Sequence, residues 1–162
     1  MDEDALQALA GFRAKFRVDE LLLLHNEAWS WSVRPGQVTL GAGILSLNRH
    51  AARFSEVTAA EMAALAEIVG SLELALRSTF DYQAINYLML MMVDHHVHFH
   101  VIPRYAAPRR FAGLDWVDRG WPAQPLLGEV QHAEQAVLPA LLRQELQAAL
   151  SAAPAAAPAT VG

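Results

Sequence analysis

One stretch of the sequence decides how this chain is interpreted: His95-His96-Val97-His98-Phe99-His100-Val101-Ile102-Pro103-Arg104-Tyr105. It holds four of the seven histidines of the chain. From His96 onward, histidine alternates with apolar residues, and alternation with a period of two predicts a β-strand. Successive side chains of a strand point to opposite faces of its sheet, so one face is expected to carry His96, His98 and His100.

Three uses fit three imidazoles on one strand face. The first is a polar face whose groups are satisfied by hydrogen bonds. The second is a metal site, because neutral imidazole is the commonest metal ligand, although the outer two histidines start about 13 Å apart on an extended strand. The third is nucleophilic catalysis, in which one imidazole attacks while its neighbours bind and orient the charged group under attack. The residues alone leave all three open.

The seven residues from His96 to Ile102 resemble the signature of the histidine triad family of nucleotide hydrolases and transferases, in which three histidines alternate with apolar positions. The resemblance implies that the middle residue, His98, attacks the α-phosphate of a nucleotide and is transiently nucleotidylated. It also implies a homodimer and a reaction that needs no cofactor or metal. Predicted binders of substrate phosphate are His96, His100, Asn86 and Arg104.

Two segments depart from the family pattern and indicate a divergent branch. Gly41-Ala42 stands where members commonly have Gly-His, and Met91-Met92-Val93 stands where many have Gly-Gln followed by serine or threonine. No side chain of Met91-Met92-Val93 can strongly hydrogen-bond a departing group. The residues predicted as alternative proton donors are Asp94 and His95, while Arg34 and Gln37 are candidates to border the pocket by position.

Composition limits the class of protein. The chain has 162 residues and a net charge of −5, which argues against broad binding to nucleic acid. It has no cysteine, an acidic start without a signal-peptide pattern, and no apolar run near the roughly 20 residues that span a bilayer. We therefore expect a cytoplasmic protein that does not enter the membrane. Residues 1–151 are predicted to form one domain, and residues 152–162 a disordered tail rich in alanine and proline.

The order of predicted elements indicates an α+β domain with a five-stranded, mostly antiparallel sheet, one long helix and a C-terminal helix. The first helix is expected near residues 4–16, and three strands near 21–25, 28–33 and 41–47. The long helix follows a capping box at Thr58 and Glu61 and ends near residue 79. A strand over 82–92 then joins the histidine strand through a tight hairpin. Residues 106–130 are predicted to be irregular, with a helix over 131–151.

The sequence therefore predicts a nucleotidyl hydrolase or transferase that acts on a dinucleoside polyphosphate or another adenylyl anhydride. Two alternatives stay open. One is a nucleotide-binding regulatory protein without turnover, which the loss of the polar segment before the triad favours. The other is a metal-dependent hydrolase that uses the same histidines.

Overall fold

The structure is a computed structural model that describes residues 1–152. The predicted tail lies outside the described residues, apart from Ala152 at the end of the last helix. The helices and strands, in chain order, are α1 Glu3–Lys15, β1 Leu22–His25, β2 Trp29–Val33, β3 Gly43–Leu47, α2 Ala59–Phe80, β4 Ala84–Leu88, β5 His98–Arg104, β6 Arg109–Phe111, β7 Leu114–Trp116 and α3 Leu138–Ala152.

Five strands form one antiparallel sheet in the order β1-β2-β3-β5-β4, which confirms the predicted α+β class. The histidine strand β5 lies inside this sheet, between β3 and β4. Its register places His98 opposite Ser46 and His100 opposite Ile44 on β3. Directly paired residues of antiparallel strands share a face, so these four side chains lie on the same side of the sheet.

The long helix α2 packs on the opposite face, and its start follows the predicted capping box. The Thr58 hydroxyl accepts a hydrogen bond from the Glu61 amide, and the Glu61 carboxylate accepts one from the Thr58 amide. The buried residues of the helix recur at helical spacing: Ala64, Ile68, Leu72, Ala75, Leu76 and Phe80. They share one core with α3 and with Val97 and Val101, the apolar partners of the triad.

The N-terminal helix α1 covers the histidine face. Asp2 caps the helix, since its carboxylate accepts a hydrogen bond from the Ala5 amide. A small cluster separate from the main core consists of Phe12, Phe16, Val18 and Ile44, and it joins α1 to β3. The sheet is therefore enclosed on both faces, by a large core on one side and by a few α1 side chains on the other.

Two predicted strands differ from the observed ones. β4 ends at Leu88, so the predicted hairpin at Val93-Asp94 is wrong in length, although the antiparallel pairing is confirmed. The nearly continuous apolar sequence of this strand is typical of a strand that is covered on both faces. It is instead an edge strand whose five residues are only half-buried. Its apolar sequence continues into the exposed connection before β5, where Leu90, Met92 and Val93 face solvent.

The C-terminal part differs in two further places. A small hairpin of β6 and β7 lies in the region predicted to be irregular. The last helix begins at Leu138, seven residues later than predicted, and the side chain of Gln131 holds the chain before it. The Gln131 amide donates to the carbonyls of Val38 and Val117, which anchors this segment beside the sheet. In residues 1–152 no helix is long and apolar enough to cross a membrane.

Candidate active site

His98 occupies the first position of β5, and its imidazole is oriented by the main chain. Its Nδ1 lies 2.5 Å from the carbonyl oxygen of His96. A carbonyl only accepts hydrogen bonds, so Nδ1 carries the proton and Nε2 keeps its lone pair. Burial lowers the pKa of His98 below the ordinary histidine value. The ring is therefore held neutral, and its unprotonated Nε2 can act as a nucleophile.

His96 precedes β5, and both of its ring nitrogens are engaged by the main chain. Nε2 lies 2.9 Å from the Leu47 carbonyl, and Nδ1 accepts a 3.4 Å hydrogen bond from the Ala51 amide. Burial lowers the pKa of His96 to about 4. The role of phosphate binding stays a prediction for this residue. In this arrangement His96 positions the start of β5 and presents the carbonyl that orients His98.

His100 follows on the same face, 5.1 Å from His98 between ring centroids. The Nε of Arg34 donates a long, 3.4 Å hydrogen bond to Nδ1 of His100. Burial, with the nearby Arg34 charge, lowers the pKa of His100 to about 4. Arg34 therefore lies at the triad, as its position in the sequence suggested, and His100 keeps its Nε2 for another partner.

The triad is closed off by α1. The ring of Phe12 lies 4.8 Å from the rings of both His96 and His98, and the ring of Phe16 lies 5.9 Å from that of His98. The exposed fraction of His98 is 1%. A substrate can reach this imidazole only if the aromatic side chains of α1 move aside.

Comparison with known proteins identifies the family at this point. The model of one family, the HIT domain, matches residues 44–107, which include most of β3 and all of β4 and β5. Residues 44–107 therefore carry a HIT domain, the domain of the histidine triad family. No curated protein matches the chain.

Solved structures of other triad proteins share the fold. A hypothetical histidine triad nucleotide-binding protein from Sulfolobus tokodaii is 17% identical, with a TM-score of 0.62 over 90% of this chain and 91% of that chain. A Hit-like protein involved in cell-cycle regulation from Bartonella henselae is 14% identical, with a TM-score of 0.57 over 85% and 93%. A zinc-bound triad protein from Mycobacterium smegmatis is 18% identical, with a TM-score of 0.54 over 88% and 96%.

The two predicted proton donors of this triad protein lie at the edge of the site. Asp94 is bound by Lys15 of α1, with Nζ 2.8 Å from the carboxylate. His95 is exposed. Both border a cavity of about 320 Å³ between α1 and the segment before β5, which also contacts Phe12 and His96. Their role as proton donors stays a prediction.

Arg104 and Asn86 are placed in a different cluster. The Arg104 guanidinium donates to both carboxylate oxygens of Asp118, to the Ala123 carbonyl and to the side-chain oxygen of Asn86. The side chains of Arg104 and Asp118 are 4% and 1% exposed. A phosphate contact would require this buried ion pair to open, so the structure gives Arg104 and Asn86 the role of fixing the loop after β7 to the sheet.

Met91-Met92-Val93 brings no polar side chain to the site. Met91 packs against the main core, while Met92 and Val93 are exposed. Ala42 stands where the resemblance expects the histidine of a Gly-His pair, and it is buried against Val38 and Ile102. In residues 1–152 no group of three or more histidine, aspartate or glutamate side chains is arranged to hold a metal ion.

Proposed function

We propose that this triad protein is a nucleotidyl hydrolase or transferase in which His98 is the nucleophile. The observation that carries the proposal is the hydrogen bond from Nδ1 of His98 to the His96 carbonyl, which leaves Nε2 unprotonated. Nε2 attacks the α-phosphorus of an adenylyl anhydride or dinucleoside polyphosphate. The N–P bond forms as the bond from phosphorus to the leaving oxygen breaks, and the leaving group departs as an anion.

The second step regenerates the imidazole. The oxygen of water or of another acceptor attacks the same phosphorus, and the N–P bond breaks. The electron pair returns to Nε2, and the acceptor's proton passes to solvent. Nε2 of His100 is available to stabilise the charge on phosphate, because its Nδ1 is the nitrogen that Arg34 contacts. Both ring nitrogens of His96 bind the main chain, so the geometry favours this route over a three-histidine metal site.

The test is direct detection of the intermediate. The purified protein is mixed with a panel of diadenosine polyphosphates, adenylyl sulfate and nucleotide sugars, quenched without acid, and measured by intact mass spectrometry. A gain of one nucleotidyl group, located on His98 by fragmentation, is expected for at least one substrate. Binding by calorimetry without any adduct or product would support the regulatory alternative, and turnover abolished by a chelator would support the metal-dependent one.

Substrate access requires α1 to move, and this can be measured without a substrate. His98 should react slowly with diethyl pyrocarbonate, because Phe12 and Phe16 cover it, while exposed His95 reacts fast in the same molecule. Phe12→Ala should raise the modification rate of His98 selectively. Leu6→Ala, at an exposed α1 position, is the matched control. Equal rates for His98 and His95 in the wild type would contradict a closed site.

The homodimer stays part of the proposal. β4 is the edge of the sheet, and its outer backbone groups have no strand partner among residues 1–152. Such an edge can pair with that of a second copy, and an isologous contact closes a two-fold dimer. Light scattering at micromolar concentrations should give twice 17.7 kDa. A mass of one chain throughout that range would contradict the dimer.

We expect the reaction to take place in the cytoplasm.

A further inference from the structure

Arg34 is a partly buried arginine that lacks a carboxylate partner among residues 1–152. Its amide donates to the Ala42 carbonyl, which fixes the backbone just beyond β2. Its guanidinium contacts only the Gly36 carbonyl and Nδ1 of His100. No carboxylate among residues 1–152 lies within ion-pair distance of it. One imidazole and one carbonyl leave most of this charged group's five donors without a strong acceptor.

Arg104 shows what a satisfied buried arginine looks like in the same chain. Two of its nitrogens bind the Asp118 carboxylate, and the others bind Asn86 and Ala123. Buried charges are ordinarily paired in this way, because an uncompensated charge is expensive to remove from water. Arg34 is only partly buried, yet it lies beside the triad without a carboxylate partner among residues 1–152, and this points to an anion that the protein itself does not supply.

Two serines on the same face have unused hydroxyl groups. Ser46 pairs with His98 across β3 and β5, and Ser32 pairs with Ile44 across β2 and β3, so both share the triad face. Both are at most 1% exposed, and neither hydroxyl has a hydrogen-bond partner among the described residues. An unsatisfied buried hydroxyl destabilises the fold. Polar groups kept unpaired beneath α1, next to the nucleophile, are typical of a site that a ligand completes.

We propose that Arg34, together with the hydroxyl of Ser32, binds a second phosphate of the substrate, distinct from the one that His98 attacks. The inference rests on the proposed function. The His100 ring stands between the two positions, since it lies 5.1 Å from His98 on one side and contacts Arg34 on the other. A phosphate bound by Arg34 therefore lies apart from the phosphorus that His98 attacks. Guanidinium and phosphate suit each other in charge and in bidentate geometry.

The second phosphate can belong to the leaving chain or to the ribose of the retained nucleoside, and one binding experiment separates these sources. Calorimetry of the full chain compares AMP with the methylene analogue of ADP and with adenosine 3′,5′-bisphosphate and 2′,5′-bisphosphate. In the wild type, one of the doubly phosphorylated ligands should bind roughly tenfold or more tightly than AMP. The ligand that gains affinity identifies the source.

Arg34→Gln should remove that preference while keeping the affinity for AMP, and Arg34→Lys should restore part of it. The inference is overturned if the wild type binds AMP as tightly as all the other ligands, or if Arg34→Gln weakens every ligand equally. Its failure differs from that of the proposed function. A nucleotidyl adduct on His98 without any preference for a second phosphate defeats this inference alone, whereas the absence of both adduct and binding defeats both.

Thermal unfolding tests whether Arg34 has only a structural role. Arg104→Gln breaks a buried ion pair and should lower Tm by several degrees. Arg34→Gln removes an uncompensated charge, so its Tm should equal or exceed that of the wild type. Ser32→Ala should likewise keep or raise Tm while lowering the affinity for the doubly phosphorylated ligand. A loss of Tm in Arg34→Gln as large as that in Arg104→Gln would overturn the inference.

Discussion

His98→Ala is expected to abolish the nucleotidyl adduct and to lower turnover by a factor on the order of 10³ or more. Among residues 1–152, the variant removes the only ring whose Nδ1 is fixed by a main-chain carbonyl 2.5 Å away and whose Nε2 is thereby left free. Alanine leaves a small cavity under Phe12, so the fold should persist. Intact mass spectrometry measures the adduct, and product chromatography measures turnover on the same preparation.

His25→Ala is the matched control, because His25 is an exposed histidine at the end of β1, outside the site. It should keep wild-type adduct and turnover. Substitutions of His96 and His100 should cost less than that of His98, since orientation and charge stabilisation are shared among several groups and such effects are not additive. A folded His98→Ala protein with wild-type turnover would show that another residue is the nucleophile.

A strong preference for anhydrides over phosphoramidates is the second expected result. An amine needs a proton as its P–N bond breaks, whereas a phosphate or sulfate group can depart as an anion. The segment before the triad offers exposed Met92 and Val93 and the half-buried Met91, none of which can donate that proton. Losing one stabilising donor typically lowers turnover by about 10²–10³. We expect a difference of that order between the two substrate classes.

The measurement compares turnover on a matched adenylyl anhydride and adenylyl phosphoramidate. Asp94 and His95 are the residues that would reverse the result, since both border the cavity beside the triad. If either donates the proton, phosphoramidates become good substrates, and Asp94→Asn or His95→Ala removes that activity selectively. Phosphoramidate turnover equal to or faster than anhydride turnover in the wild type would therefore contradict the prediction. The variant that loses this activity would then identify the proton donor.

The sequence alone determined the α+β class, the strand that carries His98 and His100, and the capped start of the long helix. Each of these depends on local patterns: period-two alternation for β5, and the Thr58 and Glu61 side chains for α2. The family signature is also a local pattern, seven consecutive residues long. Such features need no distant part of the chain, so the sequence predicts them well.

The tertiary structure decided which polar groups surround the triad. The alternation of Trp29 and Trp31 with serines predicts a half-exposed strand, yet all five residues of β2 are buried. The serine face is covered by α1, whose placement depends on contacts of Phe12 and Phe16 with residues far along the chain. The alternation of apolar and polar residues along a strand cannot show which part of the chain covers its second face.

Arg34 and Arg104 have different partners, and these too depend on contacts between distant parts of the chain. Arg104 shares the sequence parity of the histidines, but Asp118 and Asn86 reach it from elsewhere in the chain and hold it in an ion pair. Arg34 lies far from the triad in sequence and reaches His100 only through the packing of β2, β3 and β5. Parity along one strand fixes which face a side chain occupies, while its charge partners come from long-range packing, which only the folded chain defines.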